Sequence, residues 1–159
     1  MKKKSDSGQA MVEIAISLSI FLLLAMGTID FAFMFNHKLT LQNAVRQAGR
    51  YAITGQCIVG SNGTCSLTRF QSIISILENA STGLINSSNE ATDVLITCVP
   101  GGPGGCPNQA GGPGDLVTIQ VTYPHNFITP LIAPFFRNQP LTIKVSTTFT
   151  NEPFPPGSS

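Results

Sequence analysis

The sequence predicts an α+β protein: a long amino-terminal helix that continues into an external domain of a second helix and a small antiparallel sheet. Three observations carry this expectation. Residues 14–35 form an almost unbroken apolar run. The pattern then changes, with no intervening Pro, to amphipathic helical spacing as far as Ala52. Beyond residue 93 the apolar residues recur with period two, as half-buried strands require.

Composition narrows the class. The chain has 159 residues, enough for one ordinary domain. Hydrophobic residues make up 42% and charged residues 11%, a charge content too low for a disordered chain. Nine Lys and Arg against eight Asp and Glu leave a net charge of +1, which provides no footprint for nucleic acid. With two His and no Trp, metal or aromatic-cage chemistry has little to build on.

The helix comes first. Met1-Lys2-Lys3-Lys4 is a basic cluster, and in the run 14–35 the only formal charge is Asp30. As a helix, these 22 residues extend about 33 Å, matching a hydrocarbon core of about 30 Å. A single helix also satisfies its own backbone in lipid. The lysines hold the start in the cytoplasm by the positive-inside rule, so the remainder lies outside. His37 and Lys38, past the far end, are too weak to reverse this. A buried core helix is the bland alternative. A removed signal peptide is another, with Ala25-Met26-Gly27 as a passable cleavage site. Against a signal, apolar residues continue through Phe31, Phe33, Met34 and Phe35. An amphipathic stretch then follows, with Leu41, Ala44, Val45, Ala48 and Ala52 on one face and Gln42, Arg46 and Arg50 on another. Gly55 is the expected stop signal.

The residues preceding the run carry a resemblance. Gly8-Gln9-Ala10-Met11-Val12-Glu13 is similar to the processing site of type IV pilins and pseudopilins. In that group a membrane peptidase cuts after the glycine and leaves the helix in place. The physical logic is sound, since a carboxylate this close to an apolar core is costly unless paired. The new amino group at Gln9 would be a cation for Glu13, between neighbouring subunits. Read as a whole, three segments resemble the TadE-like family, small pseudopilins of tight-adherence (Flp) pilus systems. These are Gly8-Gln9-Ala10-Met11-Val12-Glu13-Ile14-Ala15, Gly27-Thr28-Ile29-Asp30-Phe31, and Ala44-Val45-Arg46-Gln47-Ala48-Gly49-Arg50-Tyr51-Ala52. The carboxyl-terminal stretch 145–153 looks like the family's last strand. Gln47 departs from the family, which commonly has Glu there, and the resemblance does not extend to the cysteine-bearing middle. The resemblance implies a pilin-like architecture.

Asp30 lies about 25 Å along the helix from Glu13. It either snorkels to headgroups or water, or pairs with a partner helix during assembly, and the resemblance favours the second.

In the outer region a second helix is expected from Ser66, with Ser66 as N-cap and an apolar stripe of Phe70, Ile73, Ile74 and Leu77. Three strands follow. Their inward sets are Val94, Ile96 and Cys98; Val117, Ile119, Val121 and Tyr123; and Leu141, Ile143, Val145, Thr147 and Phe149. Three strands cannot stand alone in water, so the outer half of the long helix and the second helix must cover one face. Residues 100–114 hold seven Gly and four Pro and read as loop, with no Lys-Ser/Thr to make a phosphate cradle. Residues 124–140 form an apolar loop that is better packed on the core than exposed.

The four cysteines, Cys57, Cys65, Cys98 and Cys106, all follow the apolar run and so face an oxidising space. Three connectivities exist, and local pairing of Cys57 with Cys65 and Cys98 with Cys106 is preferred. Their spacings do not suit a metal. No nucleophile motif or marked carboxylate pair is present, so neither an enzyme nor a cofactor is expected.

The sequence therefore divides into a cytoplasmic leader, 1–8, a long helix, 9–52, spanning the membrane at 14–35, and an extracytoplasmic domain, 53–159. The resemblance implies a structural pseudopilin of the bacterial inner membrane, cut after Gly8 by a prepilin peptidase. Its partners would be sister pilins and the assembly machinery, with Glu13 and Asp30 as packing residues. Whether it enters the fibre or primes it stays open. The alternative is a secreted or anchored periplasmic binding domain with no pilus role.

Overall fold

The structure is a computed structural model that describes residues 7–61, 65–86, 93–101, 110–129 and 140–153. Five elements follow in order: α1 (Ser7–Ile53), α2 (Arg69–Ala80), β1 (Asp93–Val99), β2 (Leu116–His125) and β3 (Leu141–Thr150). The α+β arrangement expected from the sequence is therefore the one found. By internal packing the chain divides into two compact units. One is Met1–Phe35 with Asn126–Leu141; the other is Asn36–His125 with Thr142–Ser159.

Helix α1 is uninterrupted over 47 residues. The residues expected to make its inner face, Leu41, Ala44, Val45, Ala48 and Ala52, are all essentially fully buried. Arg46 and Arg50 are exposed. Each buried Leu or Val contributes about 1.5–3 kcal/mol. At the end of the helix, Gly55 adopts φ 68, a left-handed geometry that suits glycine, and its N–H donates to Ala52 O at 3.2 Å. The Glu152 N–H donates to Ile53 O at 3.1 Å, so chain beyond β3 covers another terminal carbonyl.

Helix α2 begins later than the sequence suggested. Thr68, not Ser66, is the N-cap. Its hydroxyl accepts from Gln71 N at 3.2 Å, and the Gln71 side chain accepts from Thr68 N at 3.1 Å, a reciprocal capping box. Ser66 is used elsewhere: its N–H and hydroxyl both donate to Ile58 O, at 2.8 and 2.9 Å. Within α2 the buried set is Arg69, Ser72, Ile73 and Leu77; Phe70 and Ile74 are half-buried. The inward face is thus rotated toward the polar side of the expected stripe.

The sheet has strand order β1-β2-β3. β1 and β2 pair antiparallel from Asp93↔Thr122 to Val99↔Leu116. Val117, Ile119 and Val121 of β2, Ile96 of β1, and Ile143 and Val145 of β3 point into the core, as the alternation predicted. Gly49 lets α1 approach β3 closely. A Cβ placed there would lie 3.2 Å from both Thr147 Cγ2 and Phe149 Cδ1.

Cys57 and Cys65 form a disulfide. Cys98 is also disulfide-bonded; its expected partner Cys106 lies outside the described residues. So do 102–109 of the glycine-rich loop and 130–139 of the apolar loop.

Candidate functional site

The amino-terminal half of α1 is where the sequence placed function. Gly8, Gln9 and Glu13 all lie on α1 and are exposed. Ala10, Glu13, Ile14, Ser17, Leu18 and Phe21 recur at three and four residues, so they form one stripe along the helix. This stripe lines a shallow open groove of about 410 Å³. Two small side chains, Ala10 and Ser17, flank Glu13 along it, and its carboxylate is the stripe's one charge.

The stripe belongs to an exposed apolar surface. Met11, Ile14, Ile16, Leu18, Ile20, Phe21, Leu24 and Ile29 are each more than half exposed. No residue of the helix's most apolar 18-residue window is buried, so this segment is not the core helix of a globular domain. Its length and hydropathy fit a single-pass membrane protein. Hydroxyls in the run are satisfied internally: Ser19 Oγ donates to Ala15 O and Thr28 Oγ1 to Leu24 O, both at 2.8 Å. That removes the cost of carrying them into hydrocarbon.

Asp30 departs from this pattern, being only 1% exposed. Its Oδ1 accepts from Ile128 N at 3.1 Å and its Oδ2 from Thr129 N at 3.2 Å, with the Thr129 hydroxyl also donating to Oδ2. Sequence reading offered headgroups or a partner helix; the structure gives this carboxylate donors from its own chain, 98 residues on. Three hydrogen bonds to a charged acceptor offset the cost of burying it.

Two further polar groupings lie in the unit Asn36–His125 with Thr142–Ser159. His37 and His125 meet through their Nδ1 atoms at 3.2 Å, with ring centroids 5.1 Å apart, and the Tyr123 ring stands edge-on to His37 at 5.7 Å. One imidazole can donate and the other accept, so the pair joins α1 to the end of β2. The second grouping centres on Arg69 and Asp115. Arg69 is 1% exposed and donates to Gly111 O and Ala52 O. Burial pushes its guanidinium below the ordinary range, opposed by the nearby Asp115 carboxylate. Asp115 accepts from Gly101 N at 2.8 Å and Gly112 N at 2.6 Å. Asn151 closes the cluster, donating from Nδ2 to Ala110 O and Gly112 O. The hydrogen bonds of this cluster hold loop ends and the end of α1 together, which is a structural role.

Among the described residues no group of three or more His, Cys, Asp or Glu could hold a metal. The sequence reading missed Arg69 and Asn151. An arginine directly after a capping threonine was the available clue, but nothing local shows that its partners lie 17 and 42 residues away.

No curated protein and no solved structure matches the chain. Residues 8–50, from the glycine before the apolar run almost to the end of α1, match the family model of TadE-like proteins, so this helix is similar to theirs.

Proposed function

We propose that this chain is a structural pseudopilin of a tight-adherence (Flp-type) pilus or a related secretion apparatus. A prepilin peptidase cuts it after Gly8 on the cytoplasmic side of the inner membrane. Helix α1 stays in the bilayer and packs against sister pilins, and the outer unit stands outside. The observation that carries this reading is Glu13, an acid on an exposed apolar stripe five residues after Gly8, within the TadE-like segment. In lipid such a carboxylate needs a cation, and a freed amino group at Gln9 of a neighbouring subunit supplies one. Asp30, hydrogen-bonded within its own chain, contributes to packing by fixing residues 128 and 129 beside the helix.

The test is the amino-terminal residue and intact mass of the mature protein from membranes. Gln9 at the terminus with the helix retained is expected. A terminus near Thr28 would mean a secreted domain and would overturn the proposal. An intact Met1 in cells with an active prepilin peptidase would leave an anchored protein with no pilus role.

A further inference from the structure

Helix α1 and strand β3 share a second groove, of about 290 Å³, lined by Lys38, Gln42, Arg46, Lys144, Ser146 and Thr147 among others. Three cations from two elements converge there, and among the described residues no acid lines it. All three are exposed, and none of them pairs with a described acid. Three like charges lining one groove give it a positive potential that favours an anion. Gln42, Ser146 and Thr147 add uncharged hydrogen-bonding groups beside the cations. This is the donor set that a phosphoryl group takes.

Position identifies the source. On the same uninterrupted helix, Lys38, Gln42 and Arg46 come about 4.5, 10.5 and 16.5 Å beyond Phe35, at 1.5 Å per residue. Helical side chains lean toward the amino terminus, so the long Lys38 and Arg46 stems reach back toward the end of the apolar run. A headgroup layer begins where the hydrocarbon ends. We infer that the groove formed by Lys38, Arg46 and Lys144 binds the phosphate headgroup of an anionic phospholipid from the outer leaflet. The lipid thereby ties the outer unit to the membrane surface. This rests on the reading of 14–35 as a membrane span.

The experiment places the full chain in phosphatidylcholine nanodiscs with trace spin-labelled phosphatidylglycerol or phosphatidylcholine. It measures the relative association of the two labelled lipids with the protein. Wild type is expected to prefer the anionic lipid, and each groove cation removed should lower that preference by up to about fivefold. The triple variant Lys38→Ala/Arg46→Ala/Lys144→Ala should retain only the preference due to the amino-terminal lysines. Arg50→Ala, outside the groove, should match wild type. Lys38→Arg/Lys144→Arg keeps the charge and should keep the preference, which separates loss of charge from loss of fold. Equal preference in wild type and triple variant overturns the inference. So does abolition of the preference by millimolar inorganic phosphate at matched ionic strength, which would assign the groove to a free anion. Binding of a polyglutamate peptide that depends on the three cations, without any lipid preference, would assign it to an acidic protein segment and overturn it as well. A chain that does not enter the nanodisc overturns the membrane reading itself, a result distinct from the others.

Discussion

Arg69 Nη2 donates to the carbonyl of Ala52 at 2.6 Å, so the first residue of α2 caps the last turn of α1. A cation at a helix carboxyl terminus is favoured by the helix dipole, and the same guanidinium bonds Gly111 O. Arg69→Met keeps most of the apolar stem but removes the donors from two carbonyls and the cation near Asp115. A loss of about 2–4 kcal/mol is expected, as for breaking a buried charged network by removing one partner. Thermal unfolding of the full chain in detergent measures it. A loss under about 0.5 kcal/mol would mean that water replaces the guanidinium there.

Gly49 marks the closest approach of α1 to β3. Gly49→Ala gains about 0.5–1 kcal/mol of helix propensity but brings a methyl to 3.2 Å from Thr147 and Phe149, so the two effects should nearly cancel. Gly49→Val adds two more carbons where there is no room and should cost about 1–3 kcal/mol. The same melting measurement ranks them. Valine as stable as alanine would show that β3 yields easily.

How much of this was legible follows the range of each interaction. The α1 face, the three alternations and the Gly55 stop are local patterns of period 3.6 or 2, and all appear where the sequence put them. The N-cap of α2 lies two residues beyond the expected one because Ser66 and Thr68 are both good caps, and only the reciprocal Gln71 contact distinguishes them. Asp30 could be flagged from sequence as costly, but its donors at 128 and 129 are invisible until the chain folds back. The contact of His37 with His125 spans 88 residues and carries no local sign at all.

The Cys57–Cys65 bridge closes a short loop that hydrogen bonds already hold: Ser66 N donates to Ile58 O at 2.8 Å, and Ile58 N to Ser72 Oγ of α2 at 2.9 Å. Chain entropy alone gives such a loop about 2–3 kcal/mol. Cys57→Ser/Cys65→Ser should lower stability by no more than that and leave the Ile58–Ser72 contact in place. Amide exchange at Ile58 reads this directly. Loss of its protection would show that the bridge, and not the hydrogen bonds, orders the loop.

Asp30 organises the segment after β2 through three donors. Asp30→Ala removes every acceptor and should raise exchange of the Ile128 and Thr129 amides by about tenfold or more, as losing about 1.5–3 kcal/mol per charged hydrogen bond implies. Membrane insertion should be unchanged, because the substitution makes the helix more apolar. Asp30→Asn retains one acceptor oxygen and should fall between. Unchanged exchange in the alanine variant would remove Asp30's role within the chain and return it to the surface as a group for a partner.

Glu13 is the residue on which the proposed assembly turns. A carboxylate on an apolar stripe is tolerated in lipid when a cation reaches it, and such a charged hydrogen bond contributes about 1.5–3 kcal/mol. Glu13→Gln keeps the shape and loses the charge, so each subunit contact should weaken by about ten- to a hundredfold. Glu13→Lys sets like charges against each other and should abolish recovery of the protein with assembled pili. Neither change alters the apolar run 14–35, so the amount in the membrane fraction should match wild type. Co-isolation with sheared pili, scored against membrane content, separates the two effects. Normal co-isolation of Glu13→Lys would remove the charge pairing from the proposed assembly and leave apolar packing to set the register alone.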